Sequence, residues 1–438
     1  MFNKLSIIAL GLIFTASAAA QDVTRLGGDL TSDLALTVAL ELPAPNIRSE
    51  EAYQYHLAGH TDFHGSFFQT SLNGQPVVGP FFNNTSCGGC HAKNGRGDVG
   101  FFTTTPVSAM IVKLALPGYL PDGSPKPVPG VGVQLQDRSI SGATRYRIQL
   151  KWKQLKGRYP DGSPYYLRSP VLNYRLPGKP QPKAVSSLRI TPQVIGMGLL
   201  EAIPDQTLEA LSDPNDLDRD GVSGRVSYVA DYLRNTISVG RFGFKAAQPS
   251  LKQQSAAAFF HDMGMTSDVF TDGVSQQEVS TELLERTTFY LQVAGIPPAR
   301  EQDHPDVILG KSIFQQIGCQ SCHTMTLRTG ESSVQEVANQ EIHPFTDLLL
   351  HDMGPGLAEK FAEFTASGRE WRTTPLWGLG LAYVLRPNVQ PRFLHDGRAR
   401  TIEEAILWHD GEALASRNRF KNLSFLDRLR LIRFLLSL

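Results

Sequence analysis

The chain has 438 residues, of which 42 are Lys or Arg and 42 are Asp or Glu, so its formal net charge is zero. Balanced charge without a long basic run gives no indication of a nucleic-acid partner. A chain of this length exceeds what one hydrophobic core usually organises, so we expect two or three domains.

The N-terminus has the pattern of a secretory signal. Lys4 precedes an apolar run over residues 5 to about 16, and residues 18–20 are all alanine. The run is too short to cross a bilayer, and no cysteine follows it to take a lipid. We therefore predict that residues 1–20 are a signal peptide and that the mature protein is periplasmic, with no membrane span.

A segment over residues 49 to about 65 is predicted to be helical and leads into the first of two cysteine motifs. The four cysteines of the chain form two C-x-x-C-H units, which are Cys87-Gly88-Gly89-Cys90-His91 and Cys319-Gln320-Ser321-Cys322-His323. Thiols at this spacing can form thioethers to both vinyl groups of one porphyrin, and the adjacent imidazole then reaches the iron. The motifs predict two covalently bound haem c groups, with His91 and His323 as iron ligands.

Competing interpretations of the cysteines are two short disulfides, a thioredoxin-like redox pair, or a zinc site built from both pairs. Export from the cytoplasm is compatible with disulfides. None of the three explains why a histidine follows both pairs directly, and a thioredoxin motif needs a βαβ context. Haem attachment is therefore the interpretation that we prefer.

The composition changes between about residues 101 and 191, where Pro and Gly recur between short alternating stretches. This pattern is typical of hairpins and loops, and it predicts a β-rich insertion.

Beyond the insertion, Glu201 lies in the apolar segment 195–203. A carboxylate in such surroundings has a raised pKa and could shuttle the protons of peroxide beside an open haem. The alternative is an ordinary glutamate at a helix end.

Residues 213–221 resemble the first half of an EF-hand loop. Asp216, Asp218 and Asp220 alternate and are followed by Gly221. Hard oxygen ligands at this spacing suit Ca²⁺, although the twelfth loop position is Ser227 instead of a bidentate glutamate. The sequence does not distinguish a calcium site from a polar turn.

Helical patterns return in the C-terminal part of the chain. We predict helices over residues 281–294, 306–317 and 424–438, with a break at Gly295 to Pro298. The predicted fold is mainly α, with two cytochrome c-like haem domains at residues 21–300 and 301–438. Segments 260–264 and 350–354 are similar in sequence and suggest two related haem modules.

Each iron needs a sixth ligand or an open position, and an open position permits peroxide chemistry. For the second haem we prefer His409, which follows a capping box at Thr401 and shares an apolar helix face. Met353, His351 and His395 also compete for this position. For the first haem nothing in the sequence distinguishes one candidate ligand from another; the methionines considered are Met110, Met197 and Met263. The first iron is therefore expected to be open.

Two further segments carry a family resemblance. They are Gly79-Pro80-Phe81-Phe82-Asn83 and the run from Phe393-Leu394-His395-Asp396-Gly397-Arg398 to Thr401-Ile402-Glu403-Glu404-Ala405. With the two haem motifs, they make the chain resemble the predicted thiol oxidoreductases among the di-haem oxidoreductases, which are relatives of bacterial di-haem cytochrome c peroxidases and MauG-like enzymes. The resemblance runs from about Gly79 to about Glu412.

The resemblance implies roles for particular residues. The peroxidases carry a distal Met of the electron-transferring haem at the position of His409, and MauG-like enzymes carry a Tyr there, so this chain would have a bis-histidine haem of fairly low potential. The catalytic glutamate of the family would correspond to Glu201. The resting distal histidine of the peroxidases has no counterpart after His91, which favours an open first haem.

The sequence thus predicts an oxidoreductase that reduces peroxide at the N-terminal haem, with electrons relayed by the C-terminal haem. The expected donor is a small redox protein, or a protein side chain or thiol that becomes oxidised. A competing interpretation is an electron-transfer cytochrome without its own catalysis. A third is MauG-like oxidation of a protein partner.

Overall fold

A computed structural model provides the structure of the protein. It describes residues 23–34, 40–68, 78–99, 109–143, 146–176, 183–385 and 390–438. The predicted signal peptide lies outside these described residues.

Short and long helices alternate with short strands along the chain. The helices are α1 (Glu50–His64), α2 (Cys87–Cys90), α3 (Met197–Glu201), α4 (Asp205–Leu211), α5 (Leu251–Met263), α6 (Thr281–Gln292), α7 (Pro305–Gln316), α8 (Gly354–Leu357), α9 (Ile402–Trp408), α10 (Leu414–Asn422) and α11 (Phe425–Ser437). The strands are β1 (Phe81–Phe82), β2 (Met110–Tyr119), β3 (Pro125–Lys126), β4 (Arg138–Ser139), β5 (Gln149–Arg158), β6 (Pro164–Asn173), β7 (Val185–Ile190), β8 (Ser227–Asp231), β9 (Thr236–Gly240), β10 (Leu327–Arg328), β11 (Glu341–Ile342), β12 (Leu350–Asp352) and β13 (Glu370–Arg372).

Four of the longer helices begin at residues that satisfy their first backbone N–H groups. The hydroxyls of Ser49, Ser280 and Ser424 accept hydrogen bonds from the first turns of α1, α6 and α11. Helix α7 starts with Pro305, whose fixed φ and missing N–H suit the first helical position. Local sequence therefore sets where these helices start.

These four helices form two pairs of the same design, α1 with α6 and α7 with α11. A Cβ atom at Gly59 of α1 would collide with the carbonyl oxygen of Arg286 in α6. A Cβ atom at Gly310 of α7 would collide in the same way with the carbonyl oxygen of Arg430 in α11. Glycine is therefore required at both crossings, because the two backbones touch.

Each helix pair lies beside one cysteine motif. The ring of Phe63, four residues after Gly59, is 6.0 Å from the ring of His91. The ring of Phe314, four residues after Gly310, is 6.4 Å from the ring of His323. The same packing is thus repeated at the two motifs.

Segments 260–264 and 350–354, which are similar in sequence, differ in secondary structure. The first ends helix α5, where Gly264 adopts a left-handed conformation with φ of 69°. The second begins as strand β12, which pairs with β13. The similarity in sequence therefore does not mark equivalent positions in the two halves.

The segment predicted as a β-rich insertion contains strands β2 to β7. Strand β2 lies between β3 and β7, and Met110 pairs with Ile190 at one end of the β2–β7 ladder. Strands β5 and β6 form a long hairpin. The hydroxyl of Tyr159 at its turn donates to Glu403 of α9 at 2.6 Å. The hairpin therefore contacts the helix that precedes His409.

The prediction of a mainly α fold is wrong. The structure is 32% helical and 20% strand, and the strands form several small sheets. Strands β8 to β13 all lie outside the insertion, and the hairpin β8–β9 has Val229 buried and Ile237 exposed. The prediction missed these strands because each is short and pairs with a segment that follows a turn or a long loop.

One hydrophobic core connects the two halves of the chain. Leu26 and Ile195 from the N-terminal half belong to the same buried cluster as Phe314 and Phe434. The domain boundary near residue 300 remains a prediction. No helix in the described ranges has the length and apolar character needed to span a membrane.

Candidate functional site

Two histidine rings face each other at the second cysteine motif. The ring centroids of His323 and His409 are 6.5 Å apart. Because a bond from a metal to an imidazole nitrogen is about 2 Å long, two imidazoles that bind one ion from opposite sides have centroids about 6 Å apart. The spacing therefore fits one iron ion between the two rings.

The hydrogen bonds of the three predicted iron ligands fix their tautomers. The Nδ1 atom of His91 lies 2.8 Å from the carbonyl oxygen of Pro192. The Nδ1 atom of His323 lies 2.9 Å from that of Phe345, and the Nδ1 atom of His409 lies 2.7 Å from that of Ala405.

A carbonyl oxygen can only accept, so each Nδ1 carries the hydrogen and each Nε2 keeps its lone pair. Metal-binding histidines usually have this outer hydrogen bond. The arrangement therefore fits iron ligation at all three histidines.

Helix α9 positions His409. It begins at Thr401, whose hydroxyl accepts a hydrogen bond from the backbone N–H of Glu404. The carboxylate of Glu404 accepts from the backbone and side chain of Arg400, so it does not complete the predicted capping box. The helix ends at Trp408, and His409 is its C-cap residue. The Nδ1 hydrogen bond to Ala405 then fixes the ring.

His351, whose Nδ1 atom lies 3.6 Å from the sulfur of Cys322, has a different role. His351 Nε2 lies 2.8 Å from the carboxylate of Asp347, and its Nδ1 lies 2.7 Å from that of Glu412. Burial alone would lower the pKa of His351, but hydrogen bonds to Asp347, Cys322 and Glu412 outweigh it and raise the pKa well above its usual value. His351 is thus a buried imidazolium between two carboxylates.

His395 and Met353, which the sequence also offers as ligands of the second iron, have their own packing partners. The ring of His395 stacks on Trp371, with centroids 3.6 Å apart. Met353 is half-buried against the main hydrophobic core. The ring of His323 contacts Phe314 and His409 in the described part of the chain. His409 is the histidine that the fold brings to this position.

The first cysteine motif borders a large cavity. Cys87, Cys90 and His91 line a space of about 840 Å³. No histidine ring in the described ranges is paired with His91 as His409 is with His323; the ring in contact with His91 is that of Phe63. Met197 and Met263 line the cavity, whereas Met110 packs in the core of the insertion. The two centres therefore differ on the side opposite the proximal histidine.

The four cysteines are free thiols in the structure. Burial raises the pKa of Cys90 and of Cys319 to about 12, with adjacent Asp262 and Cys322 adding to the respective shifts. A reactive redox pair needs a lowered thiol pKa, because the thiolate is the nucleophile. Among the described residues, no group of metal ligands combines the two pairs. These observations disfavour both the thioredoxin-like and the shared zinc interpretations.

The cavity beside His91 is lined by titratable groups that the sequence did not single out. The ammonium of Lys113, in β2, lies 2.6 Å from the carboxylate of Glu363. Burial would raise the pKa of Glu363, but Lys113, Arg189 and Lys245 hold it below the usual value. Burial, together with the charge of Lys113, lowers the pKa of His261 to about 4. At neutral pH the cavity wall thus holds an ionised carboxylate and a neutral imidazole.

Glu201 lies outside this lining. It ends α3, and its carboxylate accepts hydrogen bonds from the backbone N–H of Leu251 at 2.7 Å and from the side chain of Gln292 at 2.6 Å. Its neighbours Met197 and Leu200 line the cavity, and Glu201 does not. The carboxylate connects α3 to α5 and α6, and its catalytic role stays a prediction.

The aspartate-rich loop brings its three predicted ligands together. One carboxylate oxygen each from Asp216, Asp218 and Asp220 lies within 4.8 Å of the others. The carboxylates also accept backbone hydrogen bonds from within the loop, including one from Gly221 to Asp216. Ser227 is buried in β8, and its hydroxyl contacts Thr365. The loop supplies three clustered oxygen ligands, as an incomplete EF-hand would.

Buried donors without partners also fit haem. The Nε and Nη1 atoms of Arg96 and the Nε atom of Arg417 are buried and have no hydrogen-bond partner. Burial lowers the pKa of Arg96 to about 10. Arg417 already pairs with Asp410 at 3.5 Å, but an unpaired buried cation is costly, so Arg96 calls for an anionic partner. The propionates of a bound haem are anions of this kind.

Comparison with known proteins agrees with this geometry. A family model described as "Di-haem oxidoreductase, putative peroxidase" matches residues 21–116, 123–275 and 271–438. No curated protein matches the chain significantly, and neither does a solved structure. The matched segments cover most of the chain, which confirms the resemblance seen in the motifs. The protein therefore belongs to the di-haem oxidoreductase family.

Proposed function

We propose that the protein is a periplasmic c-type cytochrome enzyme that reduces peroxide at its N-terminal centre and receives electrons through its C-terminal centre. The observation that carries the proposal is the difference between the centres. His323 is paired with His409, whereas in the described ranges no second histidine ring is paired with His91, whose ring contact is Phe63. A six-coordinate centre suits electron transfer, and a centre with an accessible face suits chemistry on a small molecule.

The residues present fit two covalent haems. Cys87 and Cys90 would attach one, and Cys319 and Cys322 the other. His91 would bind the iron of the first, and His323 and His409 would bind the iron of the second. When bound, the haems would supply electron transfer and the activation of peroxide.

Side chains that line the cavity would transfer the protons of the reaction. Reduction of one peroxide takes two electrons and two protons and gives two waters. Glu363 and His261 can each accept a proton from the first peroxide oxygen and return it to the leaving oxygen, because one is ionised and the other neutral at pH 7. Glu201 remains our sequence-based candidate for the same task, although its carboxylate lies outside the cavity lining and accepts hydrogen bonds from Leu251 and Gln292.

The electron donor is proposed to be a small redox protein or a thiol. Two thiols that form a disulfide release two electrons and two protons, which balance one peroxide. The competing proposals are an electron carrier without catalysis and an enzyme that oxidises side chains of a protein partner. Within the described residues, the lack of a second histidine paired with His91, in contrast to His323, favours catalysis over a pure carrier.

Peroxide titration of the purified holoprotein tests the proposal. We expect hydrogen peroxide to change the visible spectrum, and the original spectrum to return only when a reduced small redox protein or a dithiol is added. Consumption of one peroxide for every two electrons would support the enzyme. A spectrum that does not respond to peroxide would exclude peroxidase activity and leave the electron carrier.

We also propose that the loop of Asp216, Asp218 and Asp220 binds Ca²⁺, on the basis of the clustered carboxylates. Calorimetric titration with CaCl₂ should show one ion per chain. Asp218→Asn should weaken binding at least tenfold, because it removes one of three negative ligands. Equal binding by the variant would show that calcium lies elsewhere.

A further inference from the structure

Helix α1 carries a row of three histidines. His56, His60 and His64 are four residues apart and therefore share one helix face. The rings of His60 and His64 have centroids 4.5 Å apart. The sequence suggests only a polar row on the surface.

The fold adds a carboxylate to this row. The Nε2 atom of His64 lies 3.4 Å from the Oε1 atom of Glu41. One ligand atom each from Glu41, His60 and His64 lies within 4.8 Å of the others. All three side chains are half-buried, so they are held by the protein and still reach solvent.

A tyrosine completes the polar surroundings. The hydroxyl of Tyr290, in α6, donates its hydrogen to Asn94 at 3.0 Å. Its oxygen lies 3.3 Å from His64 Nε2. The atoms that converge here are two imidazole nitrogens, a carboxylate oxygen and a hydroxyl oxygen.

We propose that Glu41, His60 and His64 bind one divalent transition-metal ion, with zinc as the ion that the ligand set suits best. Two imidazoles and one carboxylate, with a fourth position left for water, are a common zinc ligand set. Imidazole ligands bind copper as well, and affinity for Cu²⁺ generally exceeds that for Zn²⁺. The site uses none of the residues of the two cysteine motifs or of the aspartate-rich loop.

The position of the cluster gives the ion a structural effect. Segment 40–44 is tied to the end of α6, since the backbone N–H of Ala44 donates to Val293 and that of Gly295 donates to Leu42. His64 also packs directly on Gly88 of the first cysteine motif, where a Cβ atom would collide with its ring. A bound ion would therefore join this segment to α1 beside the first haem motif.

Calorimetric titration of the holoprotein with ZnCl₂, after treatment with a chelator, tests the proposal. We expect one ion per chain and a rise in Tm of a few degrees with zinc present, because an ion that binds only the folded state stabilises it. His60→Ala and Glu41→Gln should each weaken binding at least tenfold and abolish the rise in Tm. CuCl₂ is the second probe and should bind more tightly at the same stoichiometry.

Two matched controls make the result decisive. Gln54→Ala changes an exposed residue of α1 outside the cluster, and Asp218→Asn alters the aspartate-rich loop; both should bind zinc as the wild type does. Zinc binding that is equal in His60→Ala and wild type, or that is lost in Asp218→Asn, would overturn the proposal. So would the absence of binding. Peroxide turnover is measured separately, so its failure would not affect this conclusion.

Discussion

Lys113 and Glu363 form a 2.6 Å ion pair in the wall of the cavity beside His91. Lys113 belongs to the strand β2 of the insertion, and Glu363 lies far along the chain, between β12 and β13. The C-terminal half of the chain therefore completes the surroundings of the first cysteine motif. This dependence of one centre on the other half was not foreseen from the sequence.

Glu363→Gln should slow peroxide reduction by roughly a hundredfold or more, as loss of a general acid–base group does. The amide cannot take up a proton, whereas its size is unchanged. Steady-state rates with saturating donor would measure the effect, and Lys113→Met serves as the comparison that removes the ion pair but keeps the carboxylate. Glu201→Gln tests the sequence-based candidate in the same assay. An unchanged rate in either variant would remove that glutamate from the proton-transfer step.

His409→Ala should convert the second haem from low-spin to high-spin, because one of its two strong ligands is lost. Electron paramagnetic resonance and visible spectra of the ferric protein would count the two spin states before and after the change. We expect one high-spin and one low-spin signal in the wild type. His304→Ala, at the half-buried N-cap of α7, is the control that should leave both signals unchanged. Two low-spin signals that persist in His409→Ala would favour the electron carrier.

Gly310→Ala should destabilise the protein, although alanine is normally the better helix former by about 1 kcal/mol. The added methyl group would collide with the carbonyl oxygen of Arg430, so α7 and α11 would have to separate. Overpacking of this kind costs about 1–3 kcal/mol. Chemical denaturation would measure the free energy of unfolding of this variant and of Gln316→Ala, at an exposed position of α7. We expect the free energy to fall in Gly310→Ala and to stay equal or rise in Gln316→Ala. A gain in stability at Gly310 would mean that the helices are farther apart than the structure has them.

The stability of the fold should fall as the pH rises above neutral, because His351 then loses its proton. The pKa of His351 is raised in the folded state by Asp347, Cys322 and Glu412 against the effect of burial. Its contribution is therefore fully present below the unfolded pKa of about 6.5 and is lost as the pH passes the raised folded value.

His351→Gln should lower stability at pH 7 by roughly 3–5 kcal/mol, since it leaves two buried carboxylates without their cation. Its stability should also depend less on alkaline pH than that of the wild type. Denaturation curves between pH 6 and 10 would measure both quantities. Parallel curves for the two proteins would show that His351 does not titrate in this range.

Local sequence determined much of what attaches the cofactors. The spacing of the two C-x-x-C-H units is enough to identify the predicted haem-binding residues, because thioether attachment and proximal ligation need neighbouring residues. These residues are Cys87, Cys90, His91, Cys319, Cys322 and His323. The helices beside the motifs were also predictable, since serine caps and Pro305 act within one turn. The candidate His409 came from a helix face and a family resemblance.

Tertiary structure decided what lies opposite each proximal histidine. The pairing of His409 with His323, the cavity wall of Lys113 and Glu363, and the engagement of Glu201 between α5 and α6 all join residues that are distant in sequence. Hydrophobic periodicity carries no information on such contacts, because it reports only which face of an element is buried. The sequence analysis missed the short strands outside the insertion for the same reason. Their pairing partners, and not their own residues, make them strands.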